Sequence, residues 1–295
     1  MAATTLRRRT PTQDEPMESP FHAHSRAAME HMRLQALEAL RARAGEPFDA
    51  TNVEHMNMLT ATWMGEFPTT AFELPSEEWK RIGFQGRDPR TDLRGAGVIG
   101  LRHLQNFLMT RRMTFERVLE RGGAQDQPLR AFPTSIASIN CTAMLLSYFQ
   151  LTPKLALAFL PGARLDCSAA TLEGFASLGS GPNGGADAPS FAVERLERAL
   201  MVMHERLLMH LATTWSSMVA ADHALTIMDF PRALRATFAR MDWVIRRYGP
   251  APWHLSDVAA ALDDAPDPDS DGTGTLQLLF TFVLGILSCN CTRER

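Results

Sequence analysis

From Ser190 onward an apolar residue returns at every third or fourth position: Val193, Leu196, Leu200, Met203, Leu207, Leu211 and Trp215. That spacing places all of them on one face of an α-helix and would scatter them over both faces of a strand. A stripe this long cannot remain in water, so other helices of the chain must cover it. Candidates are plain. Met29, Met32, Ala36, Leu37 and Leu40 make a second stripe, which Gly45 stops. Val53, Met56, Leu59 and Trp63 make a third, after Asp49 and before Gly65. Ile136, Ile139, Ala143, Leu146 and Phe149 follow Pro133 and Thr134. Leu234, Phe238, Met241 and Ile245 follow Asp229 as a cap and Pro231 in the first turn, where a missing N–H costs little, and end at Tyr248-Gly249-Pro250. No stretch alternates β-branched with polar residues over a useful length. The sequence predicts an all-α fold.

The chain can fill such a fold, since 45% of its 295 residues are hydrophobic and 21% charged. Thirty basic against 33 acidic residues leave a formal charge of −3. That balance lacks the basic surplus by which proteins neutralise phosphates, so nucleic acid is not an expected partner. Cys141 and Cys167 lie in apolar stretches, with Cys289 and Cys291 the remaining two cysteines. So few suit a reducing compartment, and the expectation is a cytoplasmic protein. Residues 1–22 read as a disordered tail, because TPTQDEP stands where a secretory signal needs apolar residues, and Asp14, Glu15 and Glu18 are out of place in a transit peptide.

Two segments interrupt the helices. Leu178 to Pro189, LGSGPNGGADAP, reads as a flexible Gly-rich insertion, and Asp263 to Thr275, DDAPDPDSDGTGT, as an acidic linker. Beyond it, 276–295 opens with LQLLFTFVLGILSCNC, which is short for a membrane span and carries Gln277 and Asn290. Two readings stay open for this segment. One is a final helix that closes the core; the other is peripheral attachment of 276–291 to internal membranes, with acyl chains on Cys289 and Cys291.

Most motif-like patterns fail on physical grounds. Gly95-Ala96-Gly97-Val98-Ile99-Gly100 matches GxGxxG, yet GRDPRTDLR precedes it where a dinucleotide fold needs a buried strand. These glycines better suit a tight helix start packed close to a neighbour. Asp267, Asp269, Asp271 and Gly272 imitate an EF-hand, but position twelve is Leu278. His204-Glu205 and His210 miss the one-turn histidine spacing of a zinc site, and His22 and His24 fall in the tail. No metal ligand set is expected.

One segment behaves differently. Between Trp79 and Leu104 the chain sets Gly, Pro and charged residues between an anchoring aromatic and an apolar helix. Asp92 stands before the helix start, where it can cap, and Arg94 projects from the first turn. A cation there opposes the helix dipole, which favours anions at its N-terminus. Arg94 is therefore either tied down by Asp88 or Asp92, or presented to an anionic partner.

The spaced pattern Trp79, Gly83-Phe84-Gln85, Pro89, Thr91-Asp92-Leu93-Arg94-Gly95, Gly97, Leu101 and Leu104 resembles the signature of the ELMO (engulfment and cell motility) domain family. Leu93 stands where Phe is common, and Ala96 where Met is common. Leu59 to Trp63, Phe132-Pro133 through Ile139-Asn140-Cys141-Thr142, Leu207 through Trp215, and Asp229-Phe230 resemble further helices of that domain. The resemblance divides the chain into the tail, an N-terminal helical extension at 23–57, the domain at 58–248, an extension and acidic linker at 249–275, and the apolar segment at 276–295.

The resemblance implies one of two functions. Short ELMO-domain-containing proteins act as GTPase-activating proteins for Arf and Arf-like small GTPases, with the arginine of Asp-x-Arg-Gly as their finger. Long members scaffold DOCK-type exchange factors for Rac and add armadillo-like and pleckstrin-homology regions. About fifty residues before the domain and forty-five after it leave little room for those additions, so the short type is favoured. By this resemblance Arg94 is the catalytic residue, and Gln85, Asp88, Asp92 and Gly95 face the partner GTPase. No cofactor of the chain's own is expected, because GTP and magnesium belong to that partner. Trp79 and Phe84 are expected in the core.

Overall fold

The structure, a computed structural model, describes residues 20–122, 127, 129–152, 167–180, 189–248 and 252–264. The described residues form helices and no strands. In chain order these are α1 (Pro20–Ala44), α2 (Val53–Glu66), the single turn α3 (Glu78–Arg81), α4 (Gly97–Gly122), α5 (Thr134–Tyr148), α6 (Ala169–Ser177), α7 (Pro189–Ala221), α8 (Phe230–Arg247) and α9 (Leu255–Asp264). No helix among the described residues is long and apolar enough to cross a membrane.

The long stripe organises the molecule. Val193, Leu196, Leu200, Met203, Leu207, Leu211 and Trp215 are each no more than 2% exposed, and α7 packs against α1, α4, α5, α8 and α9. At roughly 25 cal/mol per Å² of apolar surface, seven large side chains buried on one helix make α7 the chief hydrophobic contributor. Ala36, Leu37, Leu40 and Ala44 of α1 enter the same core, so the segment read as an extension is an integral wall of it. α5 is buried nearly all round, which its run of Ser, Ala, Thr and Cys permits by letting neighbouring helices approach.

A second, smaller core lies under the Trp79–Leu104 segment. Leu59, Trp63, Trp79, Phe84, Leu93, Ala96, Leu101, Leu104 and Ile139 build it, with Trp63 and Trp79 ring centroids 4.9 Å apart. Each indole finds an acceptor outside the apolar cluster: Trp63 Nε1 donates to the Thr70 carbonyl at 3.0 Å and Trp79 Nε1 to that of Glu73 at 3.1 Å. Trp79 and Phe84 are core residues, as expected.

Some local readings need correction. Val53, expected on the buried stripe, is 71% exposed in the first turn after the cap Asn52, and His55, Leu59, Thr62 and Trp63 are the buried residues of α2. Asp229 does not cap α8 with its side chain; it closes a capping box with Thr226 on the 3₁₀ turn Ile227–Asp229. Asp263 and Asp264, read as the start of a linker, form the end of α9. Of the Gly-rich insertion, Leu178 is buried and Gly179 accepts from Arg195 Nε at 2.7 Å, while 181–188 lie outside the described residues. The disordered tail expected over 1–22 runs too far, since α1 begins at Pro20; residues 1–19 and the apolar segment 276–295 lie outside the described residues.

Candidate functional site

The segment that carries Arg94 is pinned at both ends by a glycine. Gly83 has φ +88, and a Cβ there would collide with the backbone at Pro133–Ser135. The close approach lets the carbonyls of Ile82 and Gly83 accept from the Ser135 and Ile136 amides at 3.1 and 3.2 Å. Those amides are orphan donors in the first turn of α5, so the segment itself caps that helix. At the other end Gly97 has φ +57, and a Cβ would strike the carbonyl oxygen of Glu46. That carbonyl accepts from Val98 N at 3.1 Å, in the first turn of α4. Both positions demand the left-handed conformation that glycine adopts without penalty.

Between these pins, two 3₁₀ turns, Pro89–Thr91 and Leu93–Gly95, bring the chain to α4. Leu93 and Ala96 point down into the small core and Pro89 is buried, while Arg94 is exposed. Alternating burial thus forces the guanidinium outward. Its Nε donates to the Thr91 carbonyl at 2.8 Å. Among the described residues no carboxylate closes on Arg94 in a tight ion pair, though burial raises the pKa of the nearby Asp92 and the Arg94 charge acts to lower it.

The other expected site residues divide into two sorts. Asp88 accepts from Arg90 Nε at 2.8 Å, Arg90 Nη2 at 2.7 Å and Arg90 N at 3.1 Å. The Arg90 guanidinium holds its carboxyl below the usual carboxylate range. Asp88 is thereby spent on starting a turn. Asp92 departs from expectation, since its side chain makes no cap on the following turn. It accepts instead from the Gln85 amide at 2.9 Å and so staples the two arms of the segment together. Burial raises its pKa, with the Gln85 amide opposing. The Gln85 side chain is exposed, and Gly95 is half-buried, with a Cβ there reaching only ordinary contact with Ile139. Gln85, Asp92, Arg94 and Gly95 therefore come together on one surface. Arg87 nearby is paired with Glu77 at 3.1 Å.

Sequence reasoning missed Thr91 as more than a motif letter. Its hydroxyl donates to the Asp88 carbonyl at 2.9 Å, and its amide to the same oxygen at 3.2 Å. Asp-Pro-x-Thr is a turn signature in its own right, which could have flagged it. No group of three or more His, Cys, Asp or Glu among the described residues could hold a metal. His204 is buried against Ser138, and Glu205 faces Arg111. The acidic run 267–272 lies outside the described residues.

Comparison with known proteins bears on the same segment. ELMO domain-containing protein 2 of Homo sapiens is 34% identical over 112 residues, 38% of this chain and 36% of the relative. ELMO domain-containing protein C of Dictyostelium discoideum is 30% identical over 118 residues, 40% of this chain and 18% of that protein. ELMO domain-containing protein 1 of Mus musculus is 48% identical over 63 residues, 21% of this chain and 19% of the relative. The matched regions thus span at most 36% of these three relatives. No solved structure matches the chain. The model of the ELMO/CED-12 family matches residues 38–234, from the last third of α1 into α8 and so across both cores and both glycine pins, and by this match over more than half its length the chain belongs to the ELMO/CED-12 family.

Proposed function

We propose that this chain is a GTPase-activating protein for a small GTPase of the Arf or Arf-like class, and that Arg94 is the finger it delivers in trans. The observation that supports this most is the state of Arg94. Its guanidinium stands outside the small core at the N-terminal side of a 26-residue helix, hydrogen-bonded through Nε to the Thr91 carbonyl and attracted by Asp92 without a close ion pair. A stabilising role within the fold would instead pair it with a carboxylate, as Arg87 and Arg90 are paired.

The chemistry suits the group. In GTP hydrolysis water attacks the γ-phosphorus, the bond to the β–γ bridging oxygen breaks, and negative charge spreads over the phosphoryl oxygens. A planar guanidinium meets that charge with two parallel hydrogen bonds, which a lysine ammonium cannot. Such a finger is worth ~10³–10⁵ in rate, or about 4–7 kcal/mol of barrier. Nucleotide and magnesium come with the GTPase, so this chain supplies only the arginine and a rigid surface around it. Gln85 and Gly95 border Arg94 and would contact the GTPase, while Asp92, fixed to the Gln85 amide, holds the contacting arms in register.

The test is single-turnover GTP hydrolysis across a panel of Arf and Arf-like proteins. Arg94→Ala and Arg94→Lys are each expected to lower the stimulated rate by about a hundredfold or more while circular dichroism and melting stay unchanged. Undiminished stimulation by both variants would remove Arg94 from the mechanism. Absence of acceleration on every GTPase, with a partner retained whatever its nucleotide, would replace this reading by a non-catalytic scaffold for an exchange factor.

A further inference from the structure

Arg94 could be held in many ways, and the way it is held is specific. A free arginine side chain carries rotamer entropy that must be lost when it enters a partner's active site. Here the loss is partly taken in advance. Asp88 O receives both the amide and the hydroxyl of Thr91, at 3.2 and 2.9 Å. Asp88 is itself locked by three contacts with Arg90, and Pro89 between them is buried. The Thr91 peptide is thus fixed from its N-terminal side, and its carbonyl faces Arg94 Nε at 2.8 Å. That carbonyl also supplies negative potential to a cation that the dipole of α4 disfavours.

We propose that Thr91 is the positioning residue for Arg94: its hydroxyl fixes the carbonyl that grips Nε, so the two terminal nitrogens are aimed outward as a preformed fork. The inference rests on the reading of Arg94 as the finger. In this reading Thr91 acts through Arg94 and does not itself meet the nucleotide or the attacking water. A misplacement on the order of 1 Å is enough to cost a large part of a finger's effect. Asp88 and Arg90 belong to the same strut, since they hold the carbonyl against which the hydroxyl braces. Asp92 stands on both sides: it accepts from the Gln85 amide of the opposite arm and lies within reach of the Thr91 side chain and the Arg94 charge.

Two variants separate a strut from simple stability. Thr91→Val keeps the volume and the β-branch and removes the hydroxyl; Thr91→Ser keeps the hydroxyl. In stimulated hydrolysis titrated with full-length protein, Thr91→Val is expected to lower the maximal rate by about tenfold, with the half-saturating concentration unchanged. Thr91→Ser should restore the rate to within about twofold. A wild-type maximal rate for Thr91→Val, in protein whose activity still depends on Arg94, overturns the strut and leaves the finger standing. Activity indifferent to Arg94 itself overturns the finger, whatever Thr91 does. A second readout needs no activity. The Arg94 Nε–H, followed by NMR hydrogen exchange, should be protected in the wild type and in Thr91→Ser, and should exchange at the rate of an exposed arginine in Thr91→Val. An unprotected wild-type Nε–H, or equal protection in Thr91→Val, overturns the proposal.

Discussion

Gly97 and Gly83 illustrate how single residues set the candidate site without entering it. At Gly97 a side chain faces two penalties at once, the positive φ and the oxygen of Glu46. That oxygen belongs to a loop with its own support, since Glu46 Oε1 lies 3.1 Å from His55 Nε2 and the Asp49 amide donates to His55 Nδ1 at 3.1 Å. The loop cannot simply retreat. Gly97→Ala is therefore expected to cost about 1–3 kcal/mol, seen as a lower urea midpoint at unchanged m-value. Gly83→Ala should cost at least as much, because the obstructing atoms are the backbone of α5. A midpoint within error of wild type for either variant would show that the segment can shift freely and that its rigidity is not imposed here. Thr91 differs in kind: its loss should move the rate and not the midpoint. Comparing the three residues distinguishes what builds the surface from what aims the guanidinium.

Between elements, polar contacts buried among the helices decide how α4, α5 and α7 register. Glu205 of α7 is nearly buried and accepts from Asn106 Nδ2 at 2.8 Å, Thr110 Oγ1 at 3.2 Å and Arg111 Nε at 2.9 Å, all on α4. Replacing it by Ala removes the acceptor that Asn106 and Arg111 share, both of which still reach solvent, and a loss of about 1–2 kcal/mol is expected in chemical denaturation. One turn deeper, His103 of α4 and His204 of α7 lie with ring centroids 5.0 Å apart, bonded to Thr142 and Ser138 of α5 at 3.1 and 2.9 Å. Burial lowers both pKa values, that of His204 to about 4. Unfolding returns each imidazole to about 6.5, so the unfolded chain binds the extra protons between the two values. Stability contributed by the neutral rings is complete above pH 6.5 and falls as pH drops towards 4. His204 alone accounts for a loss of about 3 kcal/mol across that window. Melting temperature measured from pH 7.5 to 4.5 should fall more steeply in the wild type than in His204→Gln, which has no proton to gain. Parallel profiles would mean that the ring is protonated or solvated in the folded protein.

The molecule as a whole shows which of these features a sequence can carry. The α7 stripe was legible because one helix buries one continuous face, and Leu196 to Trp215 fall where the periodicity places them. α6 and α9 were not singled out, since helices of nine and ten residues offer barely three turns of pattern. Arg94 was legible through its rare spaced neighbours, yet the grip on its Nε was not, because hydrogen bonds within 3₁₀ turns leave no periodicity. Asp92 was misjudged for the same reason: a carboxylate before a helix reads as a cap, and only the folded chain reveals the Gln85 amide seven residues back. The least legible part is how the described core ends. α9 buries Val258 and Leu262 against the main cluster, Arg240 donates to the carbonyls of Leu262 and Asp263 at 3.1 and 3.2 Å, and Arg206 pairs with Asp263 at 3.1 Å. Two guanidinium groups thus satisfy and neutralise the last turn of α9, as a helix C-terminus requires. The last turn of α9 is satisfied by side chains of the core on which it packs. Removing residues 265–295 is accordingly expected to leave the melting temperature within about 2 °C of the full chain, a shift of about 1 kcal/mol or less for a domain of this size. The truncated protein should also keep its stimulated hydrolysis rate in solution. If residues 276–291 attach to membranes, it should cease to pellet with anionic liposomes that carry the full chain down, since about eight buried apolar side chains would be lost from the interface. A melting temperature lowered by many degrees, or aggregation on truncation, would instead assign the apolar segment to the core and exclude its role as an anchor.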